Sequence, residues 1–187
     1  QANLDQPERY VLHKAMLSSA DSTMPALIRT HAGTASAQGS NVVPAVSFDQ
    51  LIASSNIYPD VIKIDVDGYD GKVLAGMTQT LASYKPALIF EWDPAHCVNT
   101  GNSWLEHFEI LVRSNYTRFV WFTKYGDFSH FMTEVDDAAI KNLAELCLSG
   151  KHDYNWHYDI VALHQSSLVN DGRLALLGFA KRRHSYY

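Results

Sequence analysis

The segment Asp60-Val61-Ile62-Lys63-Ile64-Asp65-Val66-Asp67-Gly68-Tyr69-Asp70 contains the most informative pattern in this chain of 187 residues. Its run from Val61 to Ile64 is almost wholly apolar, which is typical of a buried strand, and acidic residues follow directly. In open α/β sheets, ligands bind at the edge formed by the carboxyl ends of the strands. The segment therefore predicts a strand whose end presents functional carboxylates.

A second segment of the same kind follows further along the chain. The apolar run Ala87-Leu88-Ile89-Phe90 leads directly into Glu91-Trp92-Asp93-Pro94-Ala95-His96. If the two strands are parallel neighbours, their carboxyl ends meet at one edge of the sheet. We therefore expect a candidate active site, called the rim below, that consists of Asp65, Asp67, Glu91, Asp93 and His96.

The acidic residues of the first segment have different expected roles. Asp65 and Asp67 alternate along an extended chain, so their side chains point in opposite directions unless a turn intervenes. Gly68 can supply that turn, because a positive φ at this position would bring Asp67 over the edge of the sheet. Asp70 is predicted to be the N-cap of the helix that follows.

The basic residues near the rim allow two interpretations each. Lys63 either pairs with a carboxylate or extends its ammonium group into solvent from the strand. His96 follows a proline in a predicted loop, where it is either a surface residue or a catalytic group near Glu91. His152 and His157 flank Trp156 ahead of the last strand, and we expect both at the surface.

Hydrophobic periodicity predicts alternating helices and strands in the middle of the chain, a pattern typical of parallel sheets. A helix over Gly71–Tyr84 is expected to stop at Lys85-Pro86. Ser47-Phe48-Asp49-Gln50 and Ser103-Trp104-Leu105-Glu106 have the spacing of capping boxes, each of which opens a helix. The other predicted elements are a hairpin over 117–123 and 128–132, a helix from about Thr133, a strand over Tyr158–Leu163 and a terminal helix over Leu174–Lys181.

The N-terminal part has a weaker pattern. A short strand is expected at Tyr10–Leu12 and another at Ala26–Ile28, whereas Thr30–Ser40 is rich in small polar residues and predicts a long disordered loop. Asn41–Val46 is predicted to be extended, with Pro44 near an edge of a sheet, because proline cannot donate a backbone hydrogen bond.

The composition is that of a globular domain and excludes several classes of protein. Hydrophobic residues make up 47% and charged residues 19% of the chain, which fits a single domain over residues 1–187. The net charge of −5 argues against binding to nucleic acids or membranes. Because two cysteines form no disulfide framework, we expect a cytoplasmic protein, although one disulfide between Cys97 and Cys147 stays open.

Four motifs in this order resemble the FkbM-type family of S-adenosylmethionine-dependent methyltransferases. The resemblance extends from about residue 43 to residue 93 and is more specific than any one of its parts. Its motifs are Ser47-Phe48-Asp49-Gln50-Leu51-Ile52, Asp60–Gly68, Val73-Leu74-Ala75-Gly76 and Pro86-Ala87-Leu88-Ile89-Phe90-Glu91.

The resemblance implies a fold, a reaction and roles for individual residues. The implied fold is an α/β Rossmann-like three-layer sandwich with a mainly parallel sheet and a C-terminal antiparallel hairpin. The implied reaction is O-methylation of a hydroxyl group on a sugar or polyketide-like small molecule, with S-adenosylmethionine as the cofactor. Asp65 and Lys63 would lie on the cofactor side, Asp67 and Glu91 would border the acceptor, and a carboxylate or His96 would accept its proton. No metal is implied.

One departure from the family pattern is that no glycine-rich strand–helix turn follows any early strand. Because a βαβ unit takes about 30 residues, roughly 50–80 residues of such a fold are expected upstream; the alternative is a remnant of the fold that no longer binds the cofactor well. Two other functions remain open. One is a metal-dependent glycosyl-transferring enzyme that uses Asp65 and Asp67 as an Asp-x-Asp site, and the other is a non-catalytic carbohydrate- or protein-binding module. The oligomeric state is open, including a homo-oligomer.

Overall fold

The computed structural model describes residues 11–31, 34–36, 39–53, 55–150 and 156–169. The strands are β1 (Met16–Leu17), β2 (Ser22–Pro25), β3 (Ile28–His31), β4 (Thr34–Ser36), β5 (Val42–Val46), β6 (Val61–Ile64), β7 (Ala87–Trp92), β8 (Tyr116–Thr123), β9 (Phe128–Met132) and β10 (Tyr158–His164). The helices are α1 (Phe48–Ala53), α2 (Asp70–Ala75), α3 (Thr78–Tyr84), α4 (Pro94–Asn99), α5 (Glu106–Arg113) and α6 (Asp137–Leu148). The predicted terminal helix at 174–181 lies outside the described residues.

A five-stranded sheet with the order β6-β7-β10-β8-β9 is the centre of the molecule. Strands β6 and β7 are parallel and pair Val61 with Ala87 and Ile64 with Phe90, as the βαβ pattern predicts. Strand β10 lies between β7 and β8 and is antiparallel to both. Among the described residues, no strand pairs with the outer edge of β6.

The fold is mixed α/β as expected, but the mainly parallel sheet is not confirmed in the described residues. In the central sheet only β6 and β7 are parallel, whereas the pairs β7–β10, β10–β8 and β8–β9 are antiparallel. The predicted C-terminal hairpin is confirmed as β8 and β9, with Gly126 at a positive φ in its turn. Insertion of β10 between β7 and β8 is a long-range pairing, so no local pattern in the sequence predicts it.

Two small sheets lie in the N-terminal part, and one of them, the β3–β4 hairpin, occupies part of the predicted loop. Strands β1, β5 and β2 form one sheet with β5 in the middle, and β3 pairs with β4 in a hairpin. The prediction of disorder over Thr30–Ser40 is therefore wrong where this segment is described. Pro44 lies in β5, the central strand of its sheet, rather than at an edge. Strand β1 pairs only with Ala45 and Val46 of β5, so the side of Pro44 that faces β1 has no strand partner that needs a hydrogen bond.

The other predicted N-terminal strands differ from those observed. Val11 and Leu12, the described part of the first predicted strand, lie outside any strand and are exposed. The strand predicted at Ala26–Ile28 begins only at Ile28, as β3. Short apolar runs give a weak signal here, because these strands depend on pairing with distant partners more than on their own composition.

The helix predicted over Gly71–Tyr84 consists of two helices, α2 and α3, which meet at Gly76 and Met77. A Cβ atom on Gly76 would lie 2.1 Å from the carbonyl oxygen of Ser18, so only glycine fits at this junction. The Gly76 carbonyl accepts a hydrogen bond from Asp49 N at 3.0 Å. Helix α3 ends, as predicted, at Lys85, which has a left-handed φ of 53°.

The helix N-termini are capped in part as the sequence predicts. Gln50 N donates to Ser47 Oγ at 3.2 Å, which confirms the cap at the start of α1. At the second predicted box, Ser103 Oγ instead accepts from Leu105 N at 3.2 Å. The side chain of Glu106 pairs there with Lys72, at 2.9 Å between Oε1 and Nζ, and links α5 to α2.

Asp49 performs a capping role that its position in α1 does not reveal. Its carboxylate accepts hydrogen bonds from Gln79 N at 2.8 Å and from Thr80 N at 2.9 Å, at the first turn of α3. The Thr80 hydroxyl also donates to it at 2.7 Å. Helix α3 has no cap from its own Met77, so α1 supplies the acceptor for its free amide groups.

Aromatic side chains fill the core between the central sheet and α5. Trp92, Phe108 and Trp121 are fully buried, and their ring centroids lie 5.4 to 5.7 Å apart. The Trp92 indole donates to the Trp104 carbonyl at 2.8 Å, which satisfies its polar atom inside the core. Burial of each such side chain contributes about 1.5–3 kcal/mol to stability. In the described residues no helix is long and apolar enough to cross a membrane.

His107 is a polar residue in this aromatic core. Its ring stacks on Phe90 with centroids 5.6 Å apart, and neither ring nitrogen has a hydrogen-bond partner of normal geometry. Burial lowers the pKa of His107 to about 4, and the influence of the Trp104 backbone offsets only part of this effect. The imidazole is therefore neutral in the folded protein at neutral pH.

Replacement of His107 by phenylalanine is expected to make stability less dependent on pH. A lowered folded-state pKa means that stability is present above the unfolded-state pKa of about 6.5 and is lost as the pH falls towards 4. The wild type should lose about 2 kcal/mol between pH 7 and pH 5 through this residue. Urea unfolding of wild type and His107→Phe at both pH values measures the difference, and an equal loss in the two proteins would contradict the assignment.

Candidate active site

The parallel pairing of β6 and β7 brings the two acidic segments to one edge of the sheet. Strand β6 ends at Ile64, whose partner is Phe90, and β7 continues to Trp92. The segment after β6 therefore lies beside Glu91 and the residues that follow β7. The rim predicted from the sequence is present, although its members take different positions within it.

A turn with positive φ brings Asp67 towards β7, as predicted from the glycine at position 68. Asp67 has a φ of 50° and Gly68 a φ of 91°. A Cβ atom on Gly68 would lie 2.6 Å from the backbone carbon of His96, so this turn packs directly on α4. The Gly68 carbonyl accepts hydrogen bonds from Asn102 Nδ2 at 3.0 Å and Thr100 Oγ1 at 3.3 Å.

His96 lies in a helix and not in the predicted loop. Asp93 is the N-cap of α4, and its Oδ1 accepts from Ala95 N at 2.8 Å and from His96 N at 3.0 Å. Pro94 occupies the first turn, where its missing N–H has no consequence. Asp-Pro at a strand end is a helix-start signal that identifies this helix in retrospect.

His157 is part of the rim, although the sequence placed it at the surface. Strand β10 pairs Tyr158 with Trp92, so the preceding residue, His157, comes to lie beside Asp93. Its side chain is 23% exposed, and its Nε2 lies 3.4 Å from Glu91 Oε2. Burial lowers the pKa of His157, against the opposing influence of Asp93. Only the long-range pairing of β7 with β10 reveals this contact.

Three carboxylates of the rim surround one nitrogen atom, Nδ1 of His96. Asp93 Oδ2 lies 3.6 Å from it, Glu91 Oε1 3.9 Å and Asp67 Oδ1 4.0 Å. This nitrogen is buried and has no hydrogen-bond partner. Two sets of three potential metal ligands result within the described residues: Asp67, Glu91 and His96, and Glu91, Asp93 and His157.

Burial raises the pKa values of two carboxyl groups in this region. Burial raises the pKa of Glu91 to about 8, and the negative charge of Asp93 adds to the effect. Burial likewise raises the pKa of Asp70 to about 7. These groups are thus partly protonated near neutral pH unless positive charge is bound close to them.

Asp70 is not the predicted N-cap. It is the first residue of α2, it is 1% exposed, and its Oδ2 accepts from Gly68 N at 3.3 Å while Oδ1 has no partner. The side chain therefore stabilises the turn before the helix and leaves the helix amide groups uncapped. The cap position belongs to Tyr69, which offers no side-chain acceptor.

Asp65 and Lys63 lie at the exposed side of the rim. Their side chains form an ion pair between Nζ and Oδ2 and are more than half exposed, at 52% for Asp65 and 62% for Lys63. The hydrogen bond to Asp65 raises the pKa of Lys63. Asp65 does not join Asp67 in either set of metal ligands found in the described part of the chain.

A pocket of about 280 Å³ opens beside Asp65 and Asp67. It lies between the end of β6 and the small sheet that contains β1 and β2. Its other lining residues are mostly apolar: Ala15, Met16, Leu17, Met24, Leu27, Val66 and Tyr69. Carboxylates at the edge of an apolar pocket are the arrangement expected for recognition of a polar group on a small molecule.

The two cysteines take no part in this chemistry. Cys97 and Cys147 are both buried and free, so the disulfide left open by the sequence is not formed. Burial raises the pKa of each thiol to about 12, which keeps both protonated and unreactive.

Comparison with known proteins identifies a family that this chain matches. The model of a family described as "Methyltransferase FkbM domain" matches residues 5–119. Hexuronic acid methyltransferase AglP of Haloferax volcanii is 41% identical over 49 residues, which make up 26% of this chain. The matched part spans only 20% of the length of that relative. No solved structure matches the chain.

Replacement of Gly68 by alanine is expected to destabilise the protein by more than about 2 kcal/mol. The positive φ would strain the backbone of an alanine at this position, and the added methyl group would also collide with the backbone of His96. Gly126→Ala is the matched control, because Gly126 has a φ of 80° and open space around it, so only about 1–2 kcal/mol of backbone strain is expected. Urea unfolding of both variants measures the difference, and equal losses would show that the close packing on α4 is unimportant.

Proposed function

The chain belongs to the FkbM methyltransferase domain family, and on this basis we propose that it methylates a hydroxyl group of a sugar with S-adenosylmethionine as the donor. The observation that carries the proposal is the rim, which lies at the carboxyl ends of two parallel strands beside a partly apolar pocket. The name of the relative AglP supports a hexuronic acid as the acceptor class. A polyketide-like hydroxyl compound is the alternative acceptor.

The described residues fit one side of a site for S-adenosylmethionine. When bound, that molecule supplies an electrophilic methyl group on a positively charged sulfur atom. The pocket presents the Asp65 carboxylate to positive charge or to hydroxyl groups, and Met16 and Leu17 offer apolar walls for a heterocycle. Pockets that enclose a drug-sized ligand measure about 300–1,000 Å³, so the 280 Å³ found here suits part of the molecule.

Further strands would complete the cofactor side in a Rossmann-like fold. Within the described residues, the outer edge of β6 has no strand partner. An unpaired edge next to a pocket is where additional parallel strands would extend the sheet. We propose that the mainly parallel, Rossmann-like arrangement is reached in this way. Two free, buried thiols are consistent with a cytoplasmic location.

The acceptor hydroxyl must lose its proton as its oxygen is methylated, and we propose that the Asp65 carboxylate accepts this proton. This carboxylate lines the pocket and is 52% exposed, so it can reach a bound hydroxyl group. Lys63 engages Oδ2 and thereby fixes the orientation of the carboxylate, which leaves Oδ1 for the acceptor. A fixed carboxylate beside the reacting oxygen contributes about 10²–10⁴ in rate as a general base.

Methyl transfer can be tested directly with the full product of the gene. We expect transfer of labelled methyl from S-adenosylmethionine to glucuronic or galacturonic acid, detected by mass spectrometry of the sugar. A product stable to mild alkali is an ether and supports transfer to a hydroxyl group, whereas an alkali-labile product is an ester and would contradict that assignment. Calorimetry with S-adenosylhomocysteine measures donor binding, and absence of heat would contradict use of this cofactor.

Replacement of Asp65 by asparagine is expected to lower turnover at least about 100-fold with little loss of stability. The change removes the proton acceptor but keeps the shape of a half-exposed side chain. Asp60→Asn is the matched control, because Asp60 is exposed at the opposite end of the same strand and should keep full activity. Unfolding of the Asp65 variant would instead assign this carboxylate a structural role.

A further inference from the structure

The group around His96 has the spacing of ligands that share an ion. In a hydrogen-bonded histidine–carboxylate pair, the nitrogen and oxygen lie about 2.7–3.2 Å apart. Here the distances from His96 Nδ1 to three carboxylate oxygens are 3.6, 3.9 and 4.0 Å. Ligands about 2.1 Å from a common ion are separated by about 3–4.2 Å, depending on the geometry. The spacing is thus too long for direct bonds and suitable for a shared cation.

A buried nitrogen atom of His96 and the buried carboxylate of Asp93 also fit a bound ligand. His96 Nδ1 is buried and has no hydrogen-bond partner, which is unfavourable for a polar atom in a folded protein. The Asp93 side chain is only 2% exposed, and its Oδ2 faces His96 and His157 at 3.6 and 4.0 Å, beyond hydrogen-bond distance. Its other oxygen, Oδ1, is occupied by the cap of α4.

The electrostatics of the group favour positive charge at its centre. Asp67, Glu91 and Asp93 bring three carboxylates within 4.0 Å of one imidazole nitrogen. The imidazoles of His96 and His157 lie within 4.0 Å of Glu91 and Asp93 and carry charge only when protonated, and Lys63 acts on Glu91 from a greater distance. A bound cation would remove both the repulsion and the unpaired nitrogen.

We propose that this group binds one divalent transition-metal cation through His96 Nδ1 and the carboxylates of Asp67 and Glu91. Asp93 and His157 flank this site, since His157 lies 3.4 Å from Glu91 and 4.0 Å from Asp93. Mixed imidazole and carboxylate ligands favour ions such as Zn²⁺ or Mn²⁺ over Ca²⁺, which prefers oxygen ligands alone. The side chains of Asp67, Glu91 and His96 are 20% to 26% exposed, so the ion keeps a side open to solvent.

The open side would allow the ion to bind the acceptor. Asp67 is both a member of this group and a lining residue of the 280 Å³ pocket, so the two sites are contiguous. An acceptor hydroxyl bound to the ion would lose its proton more easily, and Asp65 lines the same pocket as the ligand Asp67. This role rests on the proposed function, whereas binding of the cation itself does not.

Calorimetric titration of the chelator-treated protein with ZnCl₂ tests the proposal without donor or acceptor. We expect one site per chain in the wild type, an affinity at least about tenfold weaker in His96→Leu and Glu91→Gln, and unchanged affinity in His130→Gln and Glu109→Gln. The last two remove a histidine and a carboxylate elsewhere, which controls for adventitious binding. Glu91→Gln keeps the shape of its side chain, and circular dichroism confirms that each variant is folded.

Three results would overturn the proposal. The first is equal Zn²⁺ affinity in the wild type and both site variants, and the second is no Zn²⁺ binding at all. The third is Ca²⁺ affinity equal to that of Zn²⁺ and insensitive to His96→Leu, which would indicate a site without imidazole. Zn²⁺ binding at this site in a protein that transfers no methyl group would overturn the proposed function but not the metal site. Methyl transfer by a protein that binds no Zn²⁺ at this site would overturn the metal site but not the proposed function.

Discussion

The close packing of the Asp67–Gly68 turn against α4 is the constraint on which the rest of the site depends. Only the absence of a side chain at Gly68 lets the turn approach the His96 backbone, and Thr100 and Asn102 hold the Gly68 carbonyl in place. This contact joins the ends of β6 and β7, which are separate segments of the chain. Asp67 and His96 lie within 4.0 Å of each other as a consequence.

Residues of the family motifs also connect distant elements elsewhere in the structure. Asp49 in α1 accepts the free amide groups of α3, and Gly76 lets the carbonyl of Ser18 approach while it receives the N–H of Asp49. Both residues therefore attach the N-terminal sheet and α1 to the helices beside the central sheet. The two motif positions have a physical explanation in these contacts, since replacement of either residue would separate two elements that are distant in sequence.

The rim could be predicted from the sequence because its causes are local. Apolar runs followed by carboxylates identify β6 and β7, and the rule that helix-connected strands are parallel places their ends together. The remaining features depend on pairings between distant segments. His157 joins the rim through the register of β10 with β7, and the mostly antiparallel sheet results from the insertion of β10 between β7 and β8. Asp70 is a residue type that often caps helices, but its buried carboxylate accepts a hydrogen bond from Gly68 N instead.

The site is one of the places where the structure departs from what stability alone would favour. The core is filled with aromatic side chains in close contact, and the Trp92 indole within it is satisfied by a hydrogen bond. Polar atoms without a partner occur both in this core, on His107 and Trp121, and at or next to the rim, on His96 Nδ1 and Asp70 Oδ1. The rim in addition places three carboxylates around one imidazole. Such local conflicts persist in proteins mainly where function requires them, because each makes folding less favourable. Around the rim, the arrangement of carboxylates about an unpaired imidazole fits a binding partner that carries positive charge.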